Sequence, residues 1–534
     1  MPVKAYWVDP LVKLLPDQVP QGTEGRLDAA RGEYEAIQLA LRAGDRPVCV
    51  ALAATPFLPQ GPGQPIGPVR VRFCRRVPIK HGSQHTPDSE LVAKAPCELP
   101  DPLMPTASAE IGAGRTESFW LDVRVPLDAQ PGAYESTVTL RAGNEVETLP
   151  LALRVYEATV AVKRSLRLTN WFSVGPKWMG YGDARALSEP WWQCFRIMVE
   201  SMWEHRQNYF WTSLDDWMIP RVVGPDGNLA LDFRHFDRWV ETITRPDFET
   251  YVEGQPITTR EGYDGHIQTA TWRVQEGKVV REVVEADTPA AREWLRVFLT
   301  SLRDHLRQRG WLDRFRIHIG DEPHGHQLPA YATVAACLRE FAPEFKIMEA
   351  LDVRDDFAFF QQNVDVWVPQ LGRFDSSIAL MEERRKAGYE VWHYTCLFPN
   401  GQYPNRLVDY PLLKTQLLHW INFKWGYDGY LHWGWNHWRT DPYQDLEPPH
   451  GEGSFLPPGD AWIVYPGDHE IVDSMRHEVM RDGVEDYELL VQLRQREAAQ
   501  AGEIANKVIR TFTDYERDPA AFRAVRRELL AALG

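Results

Sequence analysis

Two adjacent carboxylates, Asp321 and Glu322, are the residues whose types and spacing most clearly permit chemistry. They follow the run 314–319, in which polar and apolar residues alternate as in a β-strand. Pro323 favours an extended conformation at Glu322, so both carboxylates are predicted on the first turn after the strand. Two carboxylates this close disfavour double ionisation, which raises one pKa and leaves a proton donor beside a charged partner. Sugar hydrolysis uses that combination.

The same residues allow two other interpretations. Asp321 and Glu322 could cap a following helix or pair with nearby arginines. A metal site is the second alternative, because His318, His324 and His326 lie in the same nine-residue stretch. The spacing matches no usual metal motif, and strand alternation predicts that His318 points away from the inward-facing side chains. Neither a metal nor another cofactor is therefore predicted.

Composition narrows the class of protein. The 534 residues carry 59 Lys and Arg against 75 Asp and Glu, a formal charge of −16. That charge repels a phosphate backbone, and the sequence shows no basic stripe, so nucleic acid is not an expected partner. Aromatic residues make up 12% of the chain and suit either the C–H faces of sugars or protein cores.

Cysteines and hydropathy give the expected compartment. The six cysteines are scattered without a Cys-x-x-Cys pair, which argues against structural zinc and a disulfide framework. The first residues lack the apolar core of a signal peptide, and no stretch approaches 18 apolar residues. We therefore expect a cytoplasmic protein without a membrane partner.

The chain is predicted to be multidomain, with an all-β part followed by an α/β part. Residues 1–160 alternate short β-like runs with turns rich in proline and glycine, which predicts a β-sandwich domain. Residues 161–472 alternate strands with amphipathic helices, which predicts a (β/α)8 barrel of the TIM type. Residues 473–534 are predicted to be helices that pack on the barrel.

Seven barrel strands are predicted, one fewer than a closed barrel needs. They cover 166–170, 209–212, 314–319, 346–350, 364–369, 390–395 and 429–433. A long insertion, 214–287, is predicted to carry one helix near 233–244 and a polar hairpin near 271–280. Insertions of this length in barrels usually shape the substrate cleft.

Barrel enzymes place their active sites at the C-terminal ends of the strands. Besides the acid pair, polar and aromatic side chains occur at these ends in the sequence. The predicted substrate-binding residues are Trp171, Trp211, Glu349, Gln370, His393, Tyr394, Trp433, Trp435 and Asn436. Few chemistries other than carbohydrate cleavage use several tryptophans and tyrosines around paired carboxylates, although each aromatic could equally be barrel packing.

Four segments together resemble one known family. The acid pair, the segment 393–405, the segment 425–436 and the segment 481–488 are similar to motifs of glycoside hydrolase family 123. The resemblance covers nearly the whole chain, including the stretch 99–105 in the predicted sandwich, but the barrel motifs are more specific.

The resemblance implies an exo-acting, retaining β-N-acetylgalactosaminidase that works by substrate assistance. Glu322 would protonate the glycosidic oxygen and later activate water. Asp321 would hold the acetamido N–H and stabilise an oxazolinium-like intermediate. Tyr394 would bind the acetamido oxygen, and Trp433 and Trp435 would wall the sugar. The expected partner is a glycan or glycoside that contains N-acetylgalactosamine.

Alternatives to this function remain open at this point. The protein could act on another sugar, or it could be a non-catalytic carbohydrate-binding protein with an aromatic cleft. A Gly-x-Ser-x-Gly elbow and a phosphate-binding loop are both absent from the sequence, which sets serine nucleophiles and phosphate binding aside. The sequence does not give the linkage, the aglycone, the oligomeric state or the role of the first domain.

Overall fold

The first 160 residues fold into two β-sheets. The computed structural model describes residues 2–352, 357–451 and 453–534. Its first strands are β1 (Val3–Val8), β2 (Arg26–Arg31), β3 (Tyr34–Ala43), β4 (Val48–Ala54), β5 (Leu58–Pro59), β6 (Arg70–Ile79), β7 (Cys97–Met104), β8 (Ser108–Ile111), β9 (Thr116–Arg124), β10 (Gly132–Ala142) and β11 (Glu145–Thr159). One sheet has the order β1-β3-β9-β6-β7 and the other β2-β11-β10-β4-β8, with β5 paired to β10. The predicted strand-rich first part is confirmed.

Alternation explains how these strands bury a shared core. In β10, Tyr134, Val138 and Leu140 are buried, whereas Glu135 and Thr137 between them are exposed. The buried faces of both sheets meet in one apolar cluster that includes Phe119 of β9, together with those three residues. Burial of this cluster drives the two sheets together.

The remaining chain alternates strands and helices. Its strands are β12 (Arg167–Asn170), β13 (Tyr209–Thr212), β14 (Arg221–Val223), β15 (Leu229–Leu231), β16 (Tyr251–Gly254), β17 (Gln268–Gln275), β18 (Lys278–Glu285), β19 (Phe315–Ile317), β20 (Lys346–Leu351), β21 (Val366–Pro369), β22 (Glu390–Tyr394), β23 (Gly429–His432), β24 (Tyr465–Pro466) and β25 (Ile471–Val472). Its α-helices are α1 (Glu189–Glu204), α2 (Arg234–Ile243), α3 (Pro289–Arg309), α4 (Leu328–Phe341), α5 (Phe357–Asn363), α6 (Ile378–Lys386), α7 (Leu412–Trp425), α8 (Met475–Arg496), α9 (Ala498–Val508) and α10 (Pro519–Leu533). Within the described residues, no helix combines the length and apolarity needed to cross a membrane.

Eight parallel strands form a nearly closed barrel. Their order is β12-β23-β22-β21-β20-β19-β16-β13, so neighbours in the sheet are also successive barrel strands along the chain. A helix follows each strand, and α8 takes the eighth position after β23. All seven predicted strands are present. The eighth, β16, has only four residues and lies within the predicted insertion 214–287, where α2 and the β17–β18 hairpin match the predicted helix and hairpin.

Local sequence sets the boundaries of the helices. Thr288 caps α3 by accepting the backbone N–H of Ala291, and Pro289 occupies the first helical position. Gly310 ends the helix in the left-handed conformation that glycine adopts without steric cost. The stripe of Trp294, Leu295, Phe298, Leu299 and Leu302 is buried against the barrel.

Side chains, more than backbone pairing, close the barrel between β12 and β13. The Asn208 side chain accepts the N–H of Leu168 at 2.9 Å and donates to the carbonyl of Leu166 at 3.0 Å. Gln207 does the same for the backbone of Asn170, at 3.2 Å in each direction. These two amides satisfy buried backbone groups that a ladder would otherwise pair. We call this junction the seam.

A buried ion network joins the first sheet to the barrel. The Arg72 guanidinium in β6 donates to Asp122 of β9 at 2.7 Å and to Glu478 of α8 at 2.6 Å. It also contacts Asp473, which precedes α8, at 3.3 Å. Glu478 of α8 is therefore packed against the first β-sheet.

Removing Arg72 should destabilise the protein. Arg72→Met would remove a positive charge and two hydrogen bonds from the buried carboxylates of Asp122 and Glu478. We therefore expect the free energy of unfolding to fall by about 3–5 kcal/mol. Urea unfolding followed by fluorescence measures it. Arg273→Met is the matched control, since it removes an exposed pair with Glu282 and should cost at most about 1 kcal/mol. Equal losses in the two variants would show that the buried network adds no stability.

Candidate active site

The acid pair lies where the fourth barrel strand, β19, ends. Glu349 of β20 accepts the backbone N–H groups of Ile319 and Gly320, both at 3.2 Å, through one carboxylate oxygen. These bonds hold the chain directly before Asp321. The next residue, Glu322, has a φ of +48°. Its backbone is therefore left-handed and not extended as predicted, a strained state that is common at functional sites.

Glu322 is placed to act as a proton donor. Burial, together with the nearby charges of Asp321 and Asp352, raises its pKa to about 7. The hydroxyl of Tyr394 donates to Glu322 Oε1, and this bond opposes the shift by favouring the ionised carboxylate. A carboxyl group with a pKa near neutrality can hold a proton and release it during a reaction.

Asp321 occupies the open mouth of the barrel. Its side chain is exposed, yet the surrounding protein desolvates it, which raises the pKa of its carboxyl group. The positive charges of Arg260 and His318 act in the opposite direction. Within the described chain the carboxylate accepts no hydrogen bond, and His324 caps the short helix that follows. The cap interpretation of the pair is therefore wrong, and Asp321 is free to meet a ligand.

A buried histidine lies between two glutamates beneath the acid pair. His318 Nε2 is 3.0 Å from Glu253 Oε1, and Nδ1 is 3.1 Å from Glu349 Oε1. All three side chains are fully buried. The prediction that His318 points away from the inward set is wrong, because Ile317 and Ile319 face the helices and the ring between them faces inward.

Two of the predicted tryptophans stack at the barrel mouth. The rings of Trp171 and Trp211 are 3.9 Å apart and nearly parallel, and both present faces or edges to His318. Trp171 follows β12 and Trp211 lies in β13, so their stack spans the seam. Trp171 Nε1 also donates to Glu253 at 2.8 Å. The pair therefore helps to close the barrel, and the half-buried Trp211 retains some exposed surface.

Two further predicted residues lie at the strand ends with partners of their own. Gln370 donates to Asp352 at 3.2 Å. Trp433 is half-buried, donates to Asp460 at 3.2 Å and stacks on His437. Glu349 is fully buried, and its oxygens bind backbone and side-chain donors of the chain itself, so it acts as a support and not as a substrate contact.

Three predicted residues do not reach the mouth. His393 lies between the inward-facing Trp392 and Tyr394, so alternation turns it outward, where it contacts Asn422 of α7 at 3.1 Å. Trp435 is fully buried against other aromatic rings. Asn436 binds both backbone groups of Ser173. We remove His393, Trp435 and Asn436 from the candidate site.

The structure adds residues that the sequence reasoning missed. Glu253 belongs to β16, the strand that was not predicted. Arg260 and Tyr263 lie on the loop after that strand. The positive charge of Arg260 lowers the pKa of both carboxyl groups of the acid pair, and burial together with the charges of that pair raises the pKa of the Tyr263 hydroxyl. Asp352 follows β20 and is paired with Arg373 at 2.8 Å. Recognition of the run 251–254 as a strand would have directed attention to Glu253 and to this loop.

Among the described residues, one group has the composition of a metal site, and it lies away from the acid pair. His205, Asp473 and His477 bring their ligand atoms within 4.8 Å of one another. The two imidazole rings, however, stack with centroids 3.5 Å apart and planes 13° apart. Imidazole lone pairs lie in the ring plane, so two stacked rings do not point at one ion. The neighbouring contact of Arg72 with Asp473 opposes a cation further.

Comparison with known proteins places this geometry in a family. The model of the glycoside hydrolase 123 catalytic domain matches residues 188–493, more than half of the chain. A family 123 glycoside hydrolase from Clostridium perfringens has a similar structure, with a TM-score of 0.77 and 16% sequence identity over 99% of this chain and 97% of that one. Bacteroides uniformis beta-glucuronidase 3 aligns with a TM-score of only 0.31 and 9% identity over 91% of this chain and 52% of its own. No curated protein matched in the sequence comparison. The chain belongs to glycoside hydrolase family 123 and is a glycosidase.

Proposed function

We propose that the protein is an exo-acting β-N-acetylgalactosaminidase that retains configuration by substrate assistance. The adjacent carboxylates Asp321 and Glu322, one open and one protonatable near neutral pH, are the observation that carries the proposal. Retaining enzymes with a protein nucleophile place their two carboxyl groups about 5–5.5 Å apart on opposite sides of the bond. Neighbouring residues on one turn suit a different division of roles.

In the proposed reaction, the substrate supplies the nucleophile. The acetamido oxygen attacks the anomeric carbon while Glu322 gives its proton to the departing glycosidic oxygen. Asp321 accepts the acetamido N–H and stabilises the positive charge of the oxazolinium intermediate. Glu322, now ionised, removes a proton from water, which attacks the anomeric carbon and restores the acetamido group. The two inversions leave the configuration unchanged.

Tyr394 has two partners in this scheme. In the free protein its hydroxyl donates to Glu322. Protonation of Glu322 removes the need for that donor, and the hydroxyl then becomes available to the acetamido oxygen. The exposed parts of Trp211 and Trp433 provide apolar surface for the sugar ring.

The pH dependence of hydrolysis should follow the protonation of Glu322. An acid must be protonated to act, so kcat/KM is expected to fall as pH rises through about 7. The Tyr394 hydroxyl lowers this pKa, so Tyr394→Phe should move the basic limb of the profile to higher pH. Rate profiles of both proteins check the shift. A limb that stays in place or moves lower contradicts the assignment of the acid.

A panel of aryl β-glycosides tests the function itself. We expect cleavage of β-N-acetylgalactosaminides, no cleavage of β-galactosides that lack the acetamido group, and strong inhibition by a thiazoline analogue of the intermediate. Good cleavage of a plain β-galactoside without thiazoline inhibition would overturn substrate assistance and favour a glycosidase for another sugar. Binding of sugars without any cleavage would favour a carbohydrate-binding protein.

Natural substrates need a second panel. The Clostridium perfringens relative is a family 123 enzyme described for glycolipid glycan hydrolysis. Released glycolipid oligosaccharides with terminal N-acetylgalactosamine are therefore the first substrates to test. Product analysis by mass spectrometry shows whether single terminal sugars are removed, as an exo-acting enzyme requires.

A further inference from the structure

We propose that His318 is a positioning residue of this reaction: held as a cation between Glu253 and Glu349, it provides a fixed positive charge beneath Asp321 and keeps that carboxylate ionised. The inference rests on the proposed function, because Asp321 needs its negative charge only if a cationic intermediate forms above it.

Both glutamates are already surrounded by donors. Glu253 Oε1 accepts Trp171 Nε1–H at 2.8 Å, and Oε2 accepts the hydroxyl of Thr169 at 2.5 Å. Glu349 Oε2 accepts the hydroxyl of Tyr331 at 2.9 Å, besides two backbone N–H groups. Counting the histidine, three donors surround the Glu253 carboxylate and four surround that of Glu349. Burial raises the pKa of Glu349, and the donors from His318, Gly320 and Tyr331 oppose that rise by favouring the ionised carboxylate.

Each imidazole nitrogen therefore faces a carboxylate oxygen, and each should carry a proton. A neutral imidazole has one N–H and one lone pair, and the lone pair of His318 would lie about 3 Å from a carboxylate oxygen in this arrangement. The doubly protonated ring satisfies both contacts. Burial alone would lower the pKa of His318, but the two carboxylates outweigh it and raise the pKa to about 9.

The groups around His318 then define one charge unit. Glu253 and Glu349 face its nitrogens, and the rings of Trp171 and Trp211 approach it from β12 and β13. The charge of Asp321, three residues later in the chain, interacts with the charge of His318. When Glu253, Glu349 and Asp321 are ionised they carry three negative charges, and the cation of His318 offsets one of them. Without that cation, the two buried glutamates would repel the charge of Asp321 more strongly. Because Glu349 also holds the backbone of Ile319 and Gly320, the same unit fixes the turn that carries the acid pair.

His318→Gln tests the role through the pH profile. Loss of the cation should raise the pKa of Asp321, so the acidic limb of kcat/KM moves to higher pH, and kcat should fall by about 10-fold or more while KM changes little. His393→Gln is the matched control, since it alters another buried strand histidine that faces α7. We expect its acidic limb to stay in place. A folded His318→Gln protein with the wild-type profile would overturn the proposal.

A second measurement works on the unaltered chain. In protein labelled with ¹⁵N-histidine, the ring of His318, assigned through its contacts with the Trp171 and Trp211 ring protons, should carry protons on both nitrogens at about pH 8. A single proton there would overturn the charge assignment, whether or not His318→Gln folds. This readout needs no substrate, so it separates failure of the His318 proposal from failure of the proposed glycosidase function.

Discussion

Replacing Glu322 with glutamine is expected to lower kcat/KM for β-N-acetylgalactosaminides with poor leaving groups by about 10²–10⁴-fold. Glutamine keeps the shape of the side chain but has no proton of suitable acidity to give. Nitrophenyl leaving groups depart without full protonation, so their loss should be smaller. It should not vanish, because the same residue activates water in the second half of the reaction.

The comparison of leaving groups identifies the role. Steady-state rates on a series of aryl glycosides, plotted against leaving-group pKa, should show a steeper dependence in Glu322→Gln than in the wild-type protein. Glu340→Gln, on the exposed side of α4, is a matched control that should behave as wild type. Undiminished hydrolysis of all substrates by Glu322→Gln would show that the acid has been misassigned.

Asp321→Asn is expected to lower kcat by about 10²–10³-fold with a smaller effect on KM. Asparagine can still accept a hydrogen bond from the acetamido group, so ground-state binding survives. It has no negative charge to stabilise the oxazolinium, whose charge appears only as the reaction proceeds. The loss should therefore fall on the chemical step.

Inhibitor binding gives an independent check on Asp321. A thiazoline analogue carries a positive charge when protonated, and its affinity should fall in Asp321→Asn more than the affinity of a neutral product sugar. Asp304→Asn, which alters an exposed carboxylate of α3, should change neither. Wild-type rates and wild-type thiazoline affinity in Asp321→Asn would leave the residue without a catalytic role.

The sequence predicted the barrel because its signal is local. Alternation in a strand and a 3.6-residue stripe in a helix such as α3 depend on neighbouring residues, and both were visible. The short strand β16 was not, because only two of its four residues, Tyr251 and Val252, favour strands, whereas Glu253 and Gly254 are depleted in them. Because β16 was not predicted, neither Glu253 in the strand nor Arg260 and Tyr263 on the following loop were considered as candidate site residues.

The errors among the site residues have a different origin. Presence at a strand end does not say which way a side chain points. His393 and Tyr394 are neighbours, but only Tyr394 faces the barrel interior. For His318 the alternation was recognised and the inward face was assigned the wrong way round. That assignment depends on which face meets the helices, a tertiary fact that the alternation alone does not contain.

Because the backbone of Glu322 is left-handed, the residue that would be most stable at this position differs from the residue that catalysis requires. Glycine or asparagine would adopt this conformation with less strain, an advantage on the order of 1 kcal/mol at such a site. Mutations that replace Glu322 with glycine or asparagine are therefore expected to stabilise the fold while they remove the acid. Descendants that have lost selection for hydrolysis should accumulate glycine or asparagine here while they keep the barrel, and those residues would mark a protein that has turned from cleaving sugars to another use.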